Sequence, residues 1–280
     1  MAEFIPRYQN DNEPIVKGKA GILPNTYFNL LCLEKGEKWE GHVEGFEIVC
    51  LVLKGNCDVE VNGYRFSSVG KREDMWSGKP ESVYAPAGAF IRIFANKDLT
   101  EIALTGGACE QRHEAFRVNQ EEVDLIEVGS SETKTYRKII DVLGKKAIGK
   151  TGNILVKELF SEGCWAGYPP HKHDTENPPE ETAFEELYYF RYKPENGFGV
   201  QVVFQDDGTA QSFMTRDGDT VLIDKGYHPS VFSPGHEAYA LCILNGLRQR
   251  SLILNVKNDY RYLADLIPGI NEMKDNFRKS

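Results

Sequence analysis

The sequence contains no uninterrupted apolar stretch of the roughly 18 to 20 residues that a membrane span needs, and its opening MAEFIPRYQNDNEP lacks the basic and apolar regions of a secretory signal. A cytoplasmic protein with no membrane partner is therefore expected. Positive charge is also in short supply: 33 Lys and Arg stand against 42 Asp and Glu in 280 residues, a formal charge of −9. That balance argues against a nucleic-acid partner, which would require a concentrated basic face. No C-x-x-C pair occurs among the six cysteines Cys32, Cys50, Cys57, Cys109, Cys164 and Cys242, and three of them (Cys32, Cys50, Cys242) lie inside apolar runs. Reduced thiols acting as small core residues are expected, and disulfides are not.

Long helical patterns are scarce as well. Glycine (26) and proline (13) make up about one residue in seven, and they fall between short runs rich in Val, Ile, Tyr and Phe, such as FEIVCLVLKG, FIRIFA, ELYYFRY and EAYALCILNG. Such runs read as strands. Asn62-Gly63, between DVEV and YRF, suits the positive φ angles of a tight hairpin, and FQDDGTA (204–210) reads as a second. Helical spacing is confined to a weak pattern over 117–128 and to the tail from Asp259, where Tyr260, Leu263, Leu266 and Ile267 recur. Many strands with few crossover helices predict an all-β, largely antiparallel protein built as a sandwich or barrel.

The run 128–150 is polar, basic and poor in strand signal, and reads as a linker between halves 1–127 and 151–280. The halves resemble each other. Aligning SVYAPAGAF with TVLIDKGYH sets Gly88 against Gly226 and Phe90 against His228, 138 residues apart, and Glu47 then falls opposite Glu186 at 139. A duplicated small β-barrel is expected.

The chemistry concentrates in the second half. In YPPHKHDTENPPEETAFEELYYF, His171 and His173 share a strand face, because residues i and i+2 of a strand point the same way. Glu186 opens the next strand and His228 follows in GDTVLIDKGYHP, completing three nitrogens and one oxygen. Such a set suits a first-row divalent ion, whether zinc, manganese, iron or nickel. Glu185 and Glu186 point to opposite strand faces, so one alone can meet the metal. Glu186 is preferred because Tyr188 and Phe190 would share its inward face, with Glu185 as the alternative. The first half lacks the set: Phe90 replaces the histidine, and a lone His42 precedes Glu47. His113 and His236 read as surface residues.

These residues resemble the cupin motifs, H-x-H with a following glutamate and then G-D-x-x-x-x-P-x-G-x-x-H. The gap from His173 to Glu186 is longer than usual, so TENPPEETAFE should form a loop beside the metal, and Asp224 stands where proline is common. YPPHKHDTENPPEE, EELYYFRYKPENGFGVQVVF and DGDTVLIDKGYHPSVFSPGHEAYALCILNG, with REDMWSGKPESVYAPAG in the first half, are similar to the 5-deoxy-glucuronate isomerase family of bacterial myo-inositol catabolism, over about residues 20 to 250. 4-Deoxy-5-ketouronate ketol-isomerases are related.

The resemblance implies a bicupin: two tandem antiparallel barrels, the first with a degenerate metal site. It implies an aldose–ketose isomerase converting 5-deoxy-glucuronate to 5-dehydro-2-deoxy-gluconate through a metal-stabilised enediolate, with His171, His173, Glu186 and His228 as ligands. The proton shuttle is not assigned by the motif; Tyr188, Glu185, Glu176 and Asp174 are the candidates. A fixed cation is needed for the substrate carboxylate, and Arg191 is preferred over Lys172 and Lys225. Cupin barrels pair through sheet edges, so a homo-oligomer is expected. Two rivals are an iron dioxygenase, which the same ligands would support, and an isomerase of a related deoxy-uronate or keto-sugar. A non-enzymatic sugar sensor is disfavoured by the absence of a basic region.

Overall fold

In the computed structural model, which describes residues 1–279, every strand pairing is antiparallel and the strands fall into five sheets. Two large sheets carry the molecule. The first runs Phe116–Val118, Ser82–Ala85, Phe46–Lys54, Thr100–Ala108, Thr26–Leu33. The second runs Ala2–Ile5, Thr220–Ile223, Phe184–Lys193, Glu237–Gly246, Ile154–Glu162, Arg137–Leu143, Asp124–Val128. Each is backed by a four-stranded sheet: Lys38–His42, Phe90–Ala95, Cys57–Val61, Tyr64–Val69 for the first, and Trp165–Ala166, Ser230–Phe232, Phe198–Phe204, Ala210–Arg216 for the second. The fifth sheet pairs His171–Lys172 with Asn255–Val256. The all-β expectation is met, although none of these sheets closes on itself through hydrogen bonds.

The long apolar runs follow from coverage on both faces. Along Phe46–Lys54, Ile48, Cys50 and Val52 pack toward the four-stranded sheet. The alternate residues Val49, Leu51 and Leu53 meet Leu187, Tyr189, Leu241 and Ile243 of the second large sheet. Phe184–Lys193 repeats the pattern, with Tyr188, Phe190 and Tyr192 turned to its own backing sheet. Each such side chain, fully buried, contributes about 1.5–3 kcal/mol, so the two large sheets are held together mainly by this shared layer.

Inside it lies a fully buried ion pair across the halves. Arg72 donates Nη1 to Glu158 Oε2 (2.9 Å) and Nη2 to Glu158 Oε1 (2.6 Å), and Tyr239 Oη donates to Oε1 at 3.0 Å.

Both hairpins form as read. Asn62 and Gly63 take φ of 49° and 87° between paired strands, and Phe204 pairs with Ala210 around Gly208. Two local readings are corrected. Residues 117–128 form no helix: they hold the end of one edge strand, a turn, and Asp124–Val128 at the edge of the second sheet. The run 128–150 is not strand-poor, since Arg137–Leu143 hydrogen-bonds to Ile154–Glu162. Ile139 joins one core cluster and Ile140, Val142 and Leu143 another, while the charged neighbours Lys138 and Asp141 masked the signal. The tail does turn helical, as a 3-10 segment Asn258–Asp265 and an α-helix Ile270–Arg278 whose Ile270, Met273 and Phe277 are buried. Among the described residues, no helix is long and apolar enough to cross a membrane.

The repeat is real at the level of register, with one shift. Glu47 pairs with Gly107 and Glu185 with Asn245, while Ile48 pairs with Ala85 and Glu186 with Ile223. The uniform spacing is 138, so Glu47 corresponds to Glu185 and not to Glu186.

Candidate metal centre

His171 lies on a short strand whose partner is Val256, and the backbone N–H of His228 reaches the carbonyl of His171 at 3.4 Å. The chain then leaves for a loop and returns: Phe184 N–H donates to the carbonyl of His173 at 2.7 Å, pinching residues 174–183 into an excursion. This closure places Glu186 next to His173 despite their separation in sequence. Strand alternation turns Glu186, and not Glu185, toward the histidines. Glu186 shares the face of Tyr188, and its Oε2 lies 2.9 Å from His173 Nε2 and 3.0 Å from His228 Nε2.

The three imidazoles are oriented by one device. His171 Nδ1 lies 3.0 Å from the Pro169 carbonyl, His173 Nδ1 3.3 Å from that of Phe184, and His228 Nδ1 2.8 Å from that of Gly226. A carbonyl only accepts, so each Nδ1 carries a proton, and in the neutral ring each Nε2 presents a lone pair. A lone pair on His228 Nε2 then confronts a carboxylate oxygen, and that nitrogen is buried with no aligned hydrogen-bond partner. Such an arrangement calls for a cation between the donors. His173, Glu186 and His228 bring one donor atom each to within 4.8 Å of one another. The ring of His171 stands 5.2 Å from that of His228, outside this tight trio.

The electrostatics follow. Burial disfavours an ionised Glu186, but His173 and His228 outweigh it and hold the carboxyl well below the usual range. Burial also pulls His173 down, and Glu186 more than compensates, so its pKa rises. Burial and the two neighbouring histidines lower His171 to about 3, keeping it neutral and available as a ligand.

The centre opens on a cavity of about 60 Å³ whose walls include His171, His173, Glu186, Tyr188 and Arg137, with Met273 and Phe277 of the C-terminal helix opposite. Tyr188 is buried beside Glu186, and burial followed by that carboxylate raises its phenol far above 10.

Other residues proposed from the sequence do not line this cavity. Glu185 faces the first half, accepting from Asn25 N (3.0 Å), Asn25 Nδ2 (2.7 Å) and Thr26 Oγ1 (2.8 Å). Glu176 ties the excursion down, accepting from Ala183 N and Gln249 Nε2. Asp174 accepts from Gly226 N at 2.8 Å and from Lys172 at 2.5 Å, and Lys172 also bonds Glu181 at 3.0 Å. Arg191 is held on the opposite sheet face by Asp217 (2.9 Å) and Glu101 (2.8 Å). Lys225 lines a depression with Asp206 and Asp207 and, with Asp174, a narrow crevice against His173 and His228. In the first half, Ile48 and Phe90 stand where Glu186 and His228 stand in the second, and neither side chain offers a donor atom.

Two residues were missed. Glu181 organises the excursion, accepting from the N–H of Asp174 and Thr175 and from Asn255 Nδ2. Arg137 sits in the run read as a linker; its charge amid a polar stretch gave no sign of burial.

Comparison with known proteins gives the family and the fold. The family model described as KduI/IolB family matches residues 7–263. A 5-deoxy-glucuronate isomerase of Geobacillus thermodenitrificans is 33% identical over 222 residues, 78% of this chain and 79% of that protein. One from Bacillus licheniformis is 31% identical, over 82% of this chain and 85% of the relative. Among solved structures, an IolB-like protein from Salmonella typhimurium superposes with a TM-score of 0.80 at 24% identity, covering 85% of this chain and 90% of the other. A variant of oxalate decarboxylase from Bacillus subtilis gives 0.59 at 16%, covering 86% and 72%. At these identities the two structures speak for the fold alone.

Proposed function

The chain belongs to the KduI/IolB family, and on that premise we propose that it is a metal-dependent sugar isomerase that converts 5-deoxy-glucuronate to 5-dehydro-2-deoxy-gluconate in inositol catabolism. The observation that carries the reading is the meeting of His173, Glu186 and His228, with His171 beside them, at a cavity in a chain whose relatives bear the name 5-deoxy-glucuronate isomerase. We read the two sets of sheets as a pair of cupin-type units, the strand Ala2–Ile5 of the first half joining the edge of the second large sheet and the second unit alone retaining a metal site.

His171, His173, Glu186 and His228 would hold a divalent ion. When bound, such an ion supplies Lewis-acid polarisation of the sugar carbonyl and offsets the charge of the enediolate. The remaining work is proton transfer: one proton leaves the hydroxyl-bearing carbon and one arrives at the former aldehyde carbon, the hydroxyl proton passes to the former carbonyl oxygen, and no external oxidant is needed. Tyr188 is the chain's own candidate for holding a proton there, since its phenol stays protonated at neutral pH and lies in the cavity wall. Glu185, Glu176 and Asp174 are committed to structural hydrogen bonds. The apolar walls exclude water that would otherwise exchange with the proton in transit.

The test is turnover of 5-deoxy-glucuronate by the purified, metal-supplemented protein under nitrogen, followed by NMR. Formation of the ketose without oxygen is expected. No conversion, or conversion only in air, overturns the reading.

A further inference from the structure

We propose that Arg137 binds the carboxylate of the sugar acid, fixing the end of the substrate remote from the metal centre; this rests on the isomerase reading above. Arg137 is 2% exposed and is among the largest fully buried side chains in the described residues. Its Nη1 donates to the Thr135 carbonyl (3.0 Å) and its Nη2 to the Tyr168 carbonyl (3.2 Å), with Met273 Sδ at 3.9 Å. Among the described residues it forms no ion pair, unlike the other buried cations Arg72 and Lys157, which face Glu158 and Asp141.

A buried guanidinium without a counter-ion is costly, and proteins rarely keep one unless an anion arrives. Arg250 also lacks a carboxylate, but carbonyls of Gly152, Ile154, Leu143 and Gly144 and the Thr151 hydroxyl surround it. Arg137 has only two such oxygens for five N–H groups, and it lines the same cavity as His171, His173, Glu186 and Tyr188. Lys157, the other cation of that cavity, is engaged by Asp141 at 2.8 Å. Burial lowers Arg137 only to about 10, so it is still cationic at neutral pH. A planar guanidinium with free N–H groups at one end and a metal centre at the other matches a molecule with a carboxylate at one end and a carbonyl with a neighbouring hydroxyl at the other.

At about 60 Å³ the cavity is small for a six-carbon acid. The C-terminal helix supplies part of the wall, through Met273, which touches Arg137, and Phe277. Displacement of Met273 on binding would free the Nη2 donor that now meets only sulfur and the Tyr168 carbonyl.

The experiment compares wild type with Arg137→Met and Arg137→Lys, each checked by circular dichroism and melting. The substrates are 5-deoxy-glucuronate and the same sugar with its carboxylate reduced to the alcohol. In the wild type, kcat/KM should favour the acid by about 100-fold. Arg137→Met should bring that preference to within a few-fold of unity, largely by losing the acid, with Arg137→Lys between. A folded Arg137→Met that keeps the wild-type preference overturns the proposal.

Calorimetric binding of D-glucuronate separates the two readings, because it needs no turnover. Binding weakened at least 10-fold in Arg137→Lys supports the assignment even if the isomerase reading fails, and unchanged binding refutes it. Should neither variant fold, a crystal structure of the wild type with D-glucuronate decides: the carboxylate against Arg137 supports the assignment, and the carboxylate elsewhere rejects it.

Discussion

Glu47 and Glu185 stand 138 residues apart at matching places in the two large sheets, and each gives its carboxylate to the other half of the chain. Glu47 accepts from the N–H groups of Gly152 (2.7 Å) and Ile154 (3.2 Å), and Glu185 accepts from Asn25 and Thr26. The halves are thus clamped reciprocally at the sheet ends, with the shared apolar layer between.

Glu185→Gln places an amide N–H₂ where three donors converge. A loss of about 1–3 kcal/mol is expected from leaving buried donors unmet, lowering the melting temperature by several degrees in a chain of this size. Turnover per folded molecule should be unchanged. An unaltered melting temperature with lost turnover would move Glu185 into the chemistry.

Glu47 has a pH signature. Burial raises its carboxyl above the ordinary 4.5, against the lowering by Tyr84 and the two amides. The unfolded chain therefore releases this proton first as pH rises. Between 4.5 and the raised folded value the native state holds more protons, and stability falls with increasing pH. Below 4.5 the group is neutral in both states and the penalty vanishes. Wild type should thus gain on Glu47→Gln as pH is lowered from 7 to 4.5, measured by urea midpoints; a pH-independent difference contradicts this.

Glu158→Gln would leave Arg72 buried without a counter-charge, and a loss of about 3–5 kcal/mol is expected. The double replacement Arg72→Met, Glu158→Leu should lose less than the single one, because no charge remains buried. Denaturant titration of both variants tests the ordering, and a double variant worse than Glu158→Gln would mean that packing outweighs charge at this point.

Tyr188→Phe keeps the ring and removes the hydroxyl beside Glu186. A fall in kcat of about 100-fold with little change in KM and full metal content is the expected result, in line with the lower range for a positioned acid or base. Wild-type kcat in the variant assigns the proton transfer to another group.

The meeting of His173, Glu186 and His228, with His171 nearby, was legible because strand geometry and spacing constrain it: His171 and His173 two apart, Glu186 on the face of Tyr188, His228 in the segment that repeats Phe90. The choice of Glu186 over Glu185 followed from alternation alone. Glu47 was set against Glu186, although matching Phe46 of FEI to Phe184 of FEE at a spacing of 138 puts it opposite Glu185, the register that the pairing of Ile48 with Ala85 and Glu186 with Ile223 shows. What else escaped was decided by tertiary contact. Arg191 looked available but finds Asp217 and Glu101, distant in sequence. Arg137 looked like a linker residue, since Arg137–Leu143 becomes a strand only by pairing with Ile154–Glu162. The weak helical spacing over 117–128 did not form a helix, because the backbone there completes sheet edges.

The account stands on a divalent ion held by His171, His173, Glu186 and His228. Its most direct test is elemental analysis of protein purified without chelators, for wild type and for His228→Ala and Glu186→Gln, with 5-deoxy-glucuronate turnover measured on the same samples. About one transition-metal ion per wild-type chain is predicted, with at least a 10-fold loss of metal and activity in both variants. Full turnover by a wild-type protein stripped of metal would contradict the account.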